Sequence, residues 1–226
     1  MRSLEIVIRT IAVVAIIVFV SSCASKEAKR IMDTADAVMW TRPDSALAVL
    51  ESIDTLSLKT RAQRARYSLL YTMALARNHR DIPDLRIIKP AASYYERHGS
   101  NDDRMKMYFY LGTAQYDTGD PESAIASYLR AKEYSFHSDN LVFKGIISSS
   151  ISDVYLWNNN NSESILYCKE ACDYFARPRT LSGCGILQDC WQIAIRTFGT
   201  GRRLTVFILF SSHNQSVTPP FMRGNY

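Results

Sequence analysis

Apolar residues follow two patterns along the chain. The first is continuous: Ile11 to Val20 is ten residues without a polar side chain. The second is periodic. From about Lys26 to Ala176 apolar positions return every three or four residues, and no stretch alternates strictly between apolar and polar. A period near 3.6 puts apolar groups on one helix face, whereas a strand needs a period of two. The body is therefore predicted to be all-α. Turn-forming residues predict where the helices stop. Pro43-Asp44 opens one helix, the Asn78–Asp84 stretch with Pro83 separates two, and Pro90 kinks or starts another. Gly119-Asp120-Pro121 closes one helix and opens the next, while Asn158–Asn161 forms a similar break with Ser162 as the expected N-cap.

The clearest internal pattern begins at Met105 and carries Tyr108, Leu111-Gly112, Tyr116, Gly119-Asp120, Ala124-Ile125, Tyr128 and Ala131. It resembles the tetratricopeptide repeat, a helix–turn–helix of about 34 residues. Gly112 and Ala124 are small, as expected where two helices cross closely. Gln115 departs from the motif, which usually has a tyrosine there. Weaker copies begin near Glu27, Arg61 and Gly145, so the starts at 27, 61, 105 and 145 are 34, 44 and 40 residues apart. This resemblance implies an α-solenoid of about four stacked antiparallel hairpins, in which neighbours bury what one hairpin leaves open.

The apolar run near the N-terminus follows Arg2 and Arg9 and ends at Val20-Ser21-Ser22-Cys23. A basic start, a short apolar core and small residues mark an export signal. A cysteine directly after two small residues resembles a bacterial lipobox, which implies cleavage after residue 22 and a lipid on Cys23. An uncleaved anchor is the competing reading, but Ile6–Val20 gives about 15 residues where a span needs roughly 20. The expected organisation is a lipoprotein signal peptide over 1–22, a repeat domain over 23–176 and a separate segment over 177–226. With Arg42-Pro43-Asp44-Ser45-Ala46-Leu47 and Tyr94-Tyr95-Glu96-Arg97-His98-Gly99, the chain resembles exported tetratricopeptide lipoproteins of Bacteroidota. That resemblance implies the bacterial cell envelope, with attachment to a membrane through the lipid.

Charge sharpens the division at 176. The net charge of the 226 residues is +5, yet Met1–Ala176 holds 21 basic and 21 acidic residues. Residues 177–226 hold six Arg, no Lys, one Asp and no Glu, with five of the nine Gly. A balanced body argues against nucleic-acid binding, which needs a basic face. The abrupt change of usage is what a reading-frame shift near Ala176–Arg179 predicts; the alternative is a divergent cap. Ile186, Leu187, Cys190, Trp191, Ala194, Ile195 and Phe198 are spaced for one amphipathic helix, and Pro219-Pro220 lies in a stretch expected to be unstructured. Leu204–Phe210 is too short to cross a bilayer and has the low charge of an aggregation-prone segment.

No catalytic constellation is expected. His79, His98, His137 and His213 are scattered without metal-ligand spacing, and no phosphate loop or nucleophile elbow occurs. Cys168 and Cys172 are four residues apart on one expected helix, where a core role is the simpler reading. No metal, cofactor or small-molecule substrate is expected beyond the lipid on Cys23. The repeat resemblance implies a concave surface that binds a peptide or protein. Its wall would include Lys106, Phe109, Thr113, Tyr116 and Asp117 from one repeat, and Asp153 and Trp157 from the next, beside Ile146, Ser149 and Leu156. Phe109 and Tyr116 fit groove or core equally, while Trp157, at a helix end, fits packing better. The function expected is a tethered protein-interaction scaffold, not an enzyme. The alternative is the sensory half of an envelope signalling protein truncated before its span and output domain.

Overall fold

The computed structural model describes residues 26–176. Cys23 and the whole of 177–226, with the frame-shift and capping-helix expectations, lie outside them. Among the described residues the secondary structure is all-helical, without strands. The helices are α1 (26–38), α2 (Pro43–Glu51), α3 (Arg61–Arg77), α4 (Lys89–His98), α5 (Asn101–Asp117), α6 (Pro121–Ser135), α7 (Leu141–Trp157) and α8 (Asn161–Ala176). They form two compact units, one through His98 and one from Gly99.

In the first unit, α1 buries Ala28, Met32 and Ala35, and Met39 continues that stripe into the turn. Pro43 opens α2, where a missing N–H costs nothing, and Ala46, Leu47 and Leu50 are buried. Asp54 caps a short 3-10 turn over Thr55–Ser57. α3 begins with a capping box, Thr60 accepting from the Gln63 N–H while the Gln63 side chain returns to the Thr60 backbone. Arg66 of α3 pairs with Asp33 at 2.6 Å and Asp36 at 3.6 Å on α1. Asn78 donates to the Pro43 carbonyl at 2.8 Å, tying the end of α3 to the start of α2. The long turn before α4 is anchored by buried Ile82 and Ile88, and Ser68 of α3 donates to the Ile87 carbonyl. Pro90 sits in the first turn of α4, so it starts the helix and does not kink it.

In the second unit, a Ser100–Asp103 capping box opens α5. Asp120 caps α6 by accepting from the Ser123 N–H at 3.0 Å, and hydrogen bonding from Ser123 holds its carboxyl below the usual range. Asn140 caps α7 in the same way. α5 and α6 cross closely at Gly112, where a Cβ would lie 2.7 Å from the Tyr128 ring and 3.1 Å from the Ala124 carbonyl. The next hairpin has a matching contact: Ser152 of α7 donates to the Ser164 carbonyl of α8 at 2.8 Å. In both hairpins the two partners are twelve residues apart. The following pair also recurs, with Ser127 donating to Gln115 at 2.6 Å in one hairpin and Tyr155 stacked on Tyr167 at 5.7 Å in the other.

The three long helices are each 17 residues and start at 61, 101 and 141, an even spacing of 40. This corrects the uneven 44 and 40 read from the repeat motif, which set the Arg61 copy one turn out of step. Each long helix ends the same way. His79 (φ 54), Gly119 (φ 84) and Asn159 (φ 57) are the described residues in the left-handed region. The N–H of each bonds three residues back: His79 to Ala76 at 3.1 Å, Gly119 to Tyr116 at 3.0 Å, and Asn159 to Leu156 at 3.0 Å. The next N–H reaches five residues back: Arg80 to Leu75 at 3.0 Å, Asp120 to Gln115 at 2.9 Å, and Asn160 to Tyr155 at 2.9 Å. Carbonyls that the helix leaves unpaired are thereby satisfied. This closure uses up Asn158–Asn160, so α8 starts at Asn161 and Ser162 is already inside it, not its cap.

Three outcomes follow for stability. His79→Gly should raise it by about 0.5–1 kcal/mol and Gly119→Ala lower it by about 1 kcal/mol, because only glycine takes positive φ freely. Gly112→Ala should cost about 1–3 kcal/mol, since the new methyl must displace a buried tyrosine ring. Urea unfolding midpoints of the purified chain check all three.

Candidate functional site

The residues expected to line a binding surface lie on α5 and α7 of the second unit, and the structure divides them. Phe109 is only 7% exposed. Its ring lies 5.0 Å from Tyr110, 5.5 Å from Tyr128 and 5.1 Å from Phe143, joining α5, α6 and α7. Burying such a ring contributes about 1.5–3 kcal/mol, and Phe109 therefore serves the core. Thr113 is engaged as well: its hydroxyl donates to the Phe109 carbonyl at 3.2 Å and accepts from the Tyr128 hydroxyl at 3.2 Å. On α7, Ile146 and Ser149 are buried.

What remains at the surface lies mostly toward the C-terminal ends of the two helices. Tyr116 and Asp117 are half-buried in the last turn of α5, and Asp153 is half-buried on α7. Leu156 is 39% exposed and Trp157 is 74% exposed, so Trp157 does not pack as its helix-end position led us to expect. Lys106, near the other end of α5, is held by Asp102 one turn before it at 2.7 Å. Ile165 and Leu166 of α8 are also exposed, on the far side of the turn that follows Trp157. The α7–α8 hairpin thus exposes aliphatic and indole surface at Leu156, Trp157, Ile165 and Leu166. Aromatic groups of this kind anchor protein interfaces when a partner desolvates them.

The sequence reading missed a polar junction among α6, α7 and α8. Lys132 of α6 forms an ion pair with Glu170 of α8, and Ser148 of α7 hydrogen-bonds the same carboxylate oxygen at 3.2 Å. The Lys132 ammonium also sits 4.6 Å from the centre of the Tyr167 ring. Burial raises the pKa of both Tyr155 and Tyr167, which keeps the stacked phenols protonated. Three helices are fixed by one mostly covered charge pair. No spacing rule connects residues 132, 148 and 170, so only the assembled fold shows it. A second stack lies between α5 and α6, where Tyr108 and Tyr134 are parallel at 5.7 Å and Arg130 lies 4.9 Å over Tyr108.

His79 and His137 are exposed in turns, and exposed His98 packs on Tyr94 at the end of α4. Among the described residues no three His, Cys, Asp or Glu side chains converge as metal ligands, and no helix is long and apolar enough to cross a membrane. Comparison of the chain with family models, with curated proteins and with solved structures returned no match.

The charge junction yields a measurable expectation. Glu170→Ala strands the Lys132 ammonium between helices and should lower unfolding free energy by about 1–2 kcal/mol. Because the pair is largely shielded, the loss should persist in 0.5 M salt, where the Debye length is only about 4–5 Å. Urea titrations at low and high salt measure both.

Proposed function

We propose that the chain is a membrane-tethered scaffold of tetratricopeptide type that holds a protein or peptide partner in the bacterial cell envelope. The observation that carries this reading is the even recurrence of the 17-residue helices and their shared closing motif. Stacked helical repeats work by presenting a surface, and their stability comes from each unit and its neighbours. The α5–α6 hairpin supplies the small-residue crossing that this repeat requires, at Gly112 and Ala124. Tyr116, Asp117 and Trp157 form the partner surface, with Lys106 at its margin, while the Asp153 carboxylate has one oxygen covered and lies near buried Cys168. The exposed indole is the anchor and the Asp117 carboxylate sets the polarity of the segment it accepts. On this reading the chain binds and does not catalyse.

The tether is the lipid on Cys23. One acyl chain binds a bilayer marginally, and two or more hold firmly, each buried CH2 adding about 0.8 kcal/mol. Cys23→Ala should abolish incorporation of labelled lipid and move the chain from the membrane to the soluble fraction. Persistence of the label in that variant would sink the anchoring half. The binding half is tested separately by a photo-crosslinking residue placed at 157 or, as a control on α6, at the exposed position 126. Discrete adducts in cells are expected from 157 only; equal adducts from both positions would overturn the assignment of the surface.

A further inference from the structure

We propose that Cys168 and Cys172 of α8 form a two-thiolate clamp for a soft, low-coordinate cation, with Cu(I) as its probe. Both cysteines are free; Cys168 is buried and Cys172 is half-buried. They are one helical turn apart on the same helix, so their side chains leave the backbone in nearly the same direction. The two side chains are close enough to interact with each other. Ser152, across the hairpin on α7, neighbours Cys168.

The register of the helix decides what such a pair can do. Cβ atoms four residues apart on a helix are about 5–6 Å from each other. A disulfide needs them at about 3.5–4.5 Å, so oxidation of this pair would deform α8. One metal atom between the sulfurs removes the mismatch. A metal–thiolate bond is about 2.3 Å, so a bridged pair holds its sulfurs roughly 4–4.6 Å apart without moving the backbone. Soft thiolates select Cu(I) among biological cations. Zinc asks for four ligands, and among the described residues no third His, Cys, Asp or Glu completes a set of three here.

Local charge favours the bound state. Asp153 lies near Cys168 and Asp173 near Cys172, so two carboxylates add negative potential around a cation held between the sulfurs. Two thiolates one turn apart repel each other, and a cation between the sulfurs relieves that repulsion. Binding is an exchange without redox change: each thiol gives its proton to solvent, each sulfur donates a lone pair to the ion, and Cu(I) remains Cu(I). Cys172, the more open thiol, supplies the way in.

The test uses the reduced full-length chain with Cys23, Cys184 and Cys190 changed to Ala, titrated with Cu(I) held by bicinchoninate. One equivalent should transfer to this variant. Adding Cys172→Ala should weaken competition at least 10-fold, and so should adding Cys168→Ala. Failure of the first variant to take up Cu(I), or unchanged uptake after either further substitution, would overturn the site. A second measurement needs no substitution. One equivalent of Cu(I) should protect Cys168 and Cys172 together from alkylation by iodoacetamide, read by peptide mass. Protection confined to the other cysteines would also overturn it.

Discussion

Each long helix of this protein depends on a single residue that crosses into the left-handed region just beyond its end. An α-helix leaves its last carbonyls without internal partners, and the chain must also reverse direction to form a hairpin. At His79, Gly119 and Asn159 one backbone change does both, pairing two carbonyls and turning the chain outward. Only one of the three is a glycine. Asparagine tolerates this conformation through its short polar side chain, and histidine is among the residues found there more often than most. In α5–α6 and α7–α8 the next helix begins two residues later, which brings the small residues of each hairpin face to face.

Packing then differs between hairpins that share this frame. α5–α6 meets through a bare backbone at Gly112 and a tyrosine ring, while α7–α8 meets through serine hydroxyls. α7 buries Ser148, Ser149 and Ser152, an unusual load of hydroxyls for a core helix. Burial of a hydroxyl is tolerable only with a partner; Ser152 finds the Ser164 carbonyl and Ser148 the Glu170 carboxylate. The ion pair between Lys132 and Glu170 adds orientation to an interface that apolar contact alone would leave free to slide. That role is consistent with how mostly buried charges act, fixing one arrangement more than adding stability.

Much of the helix layout was legible in the sequence because proline, glycine and asparagine interrupt the apolar period at the turns. Register was harder. A 3.6-residue period looks similar after a slip of one turn, so Tyr67, Leu70 and Tyr71 matched the motif from Arg61 although the helix ends show an even spacing of 40. Ser162 looked like a cap because capping residues and first-turn residues overlap in type; the left-handed Asn159 decided between them. The candidate surface was legible as a set of residues on helix faces, but not as a set of exposures. Phe109 is covered because α7 brings Phe143 against it, and Trp157 is open because its helix ends there. Both outcomes depend on neighbours that a single helix pattern does not contain.

Closing each turn within a few residues has a consequence for the chain as a folding object. In the second unit the main hairpin contacts link residues about twelve to fifteen apart, and the Lys132–Glu170 pair spans 38. A fold of such low contact order forms without bringing distant parts of the chain together, and small helical proteins of this type fold quickly. It also confines damage. The α5–α6 crossing at Gly112 is closed by Ala124 and Tyr128 of its own hairpin, so a change in a more distant hairpin leaves those contacts in place.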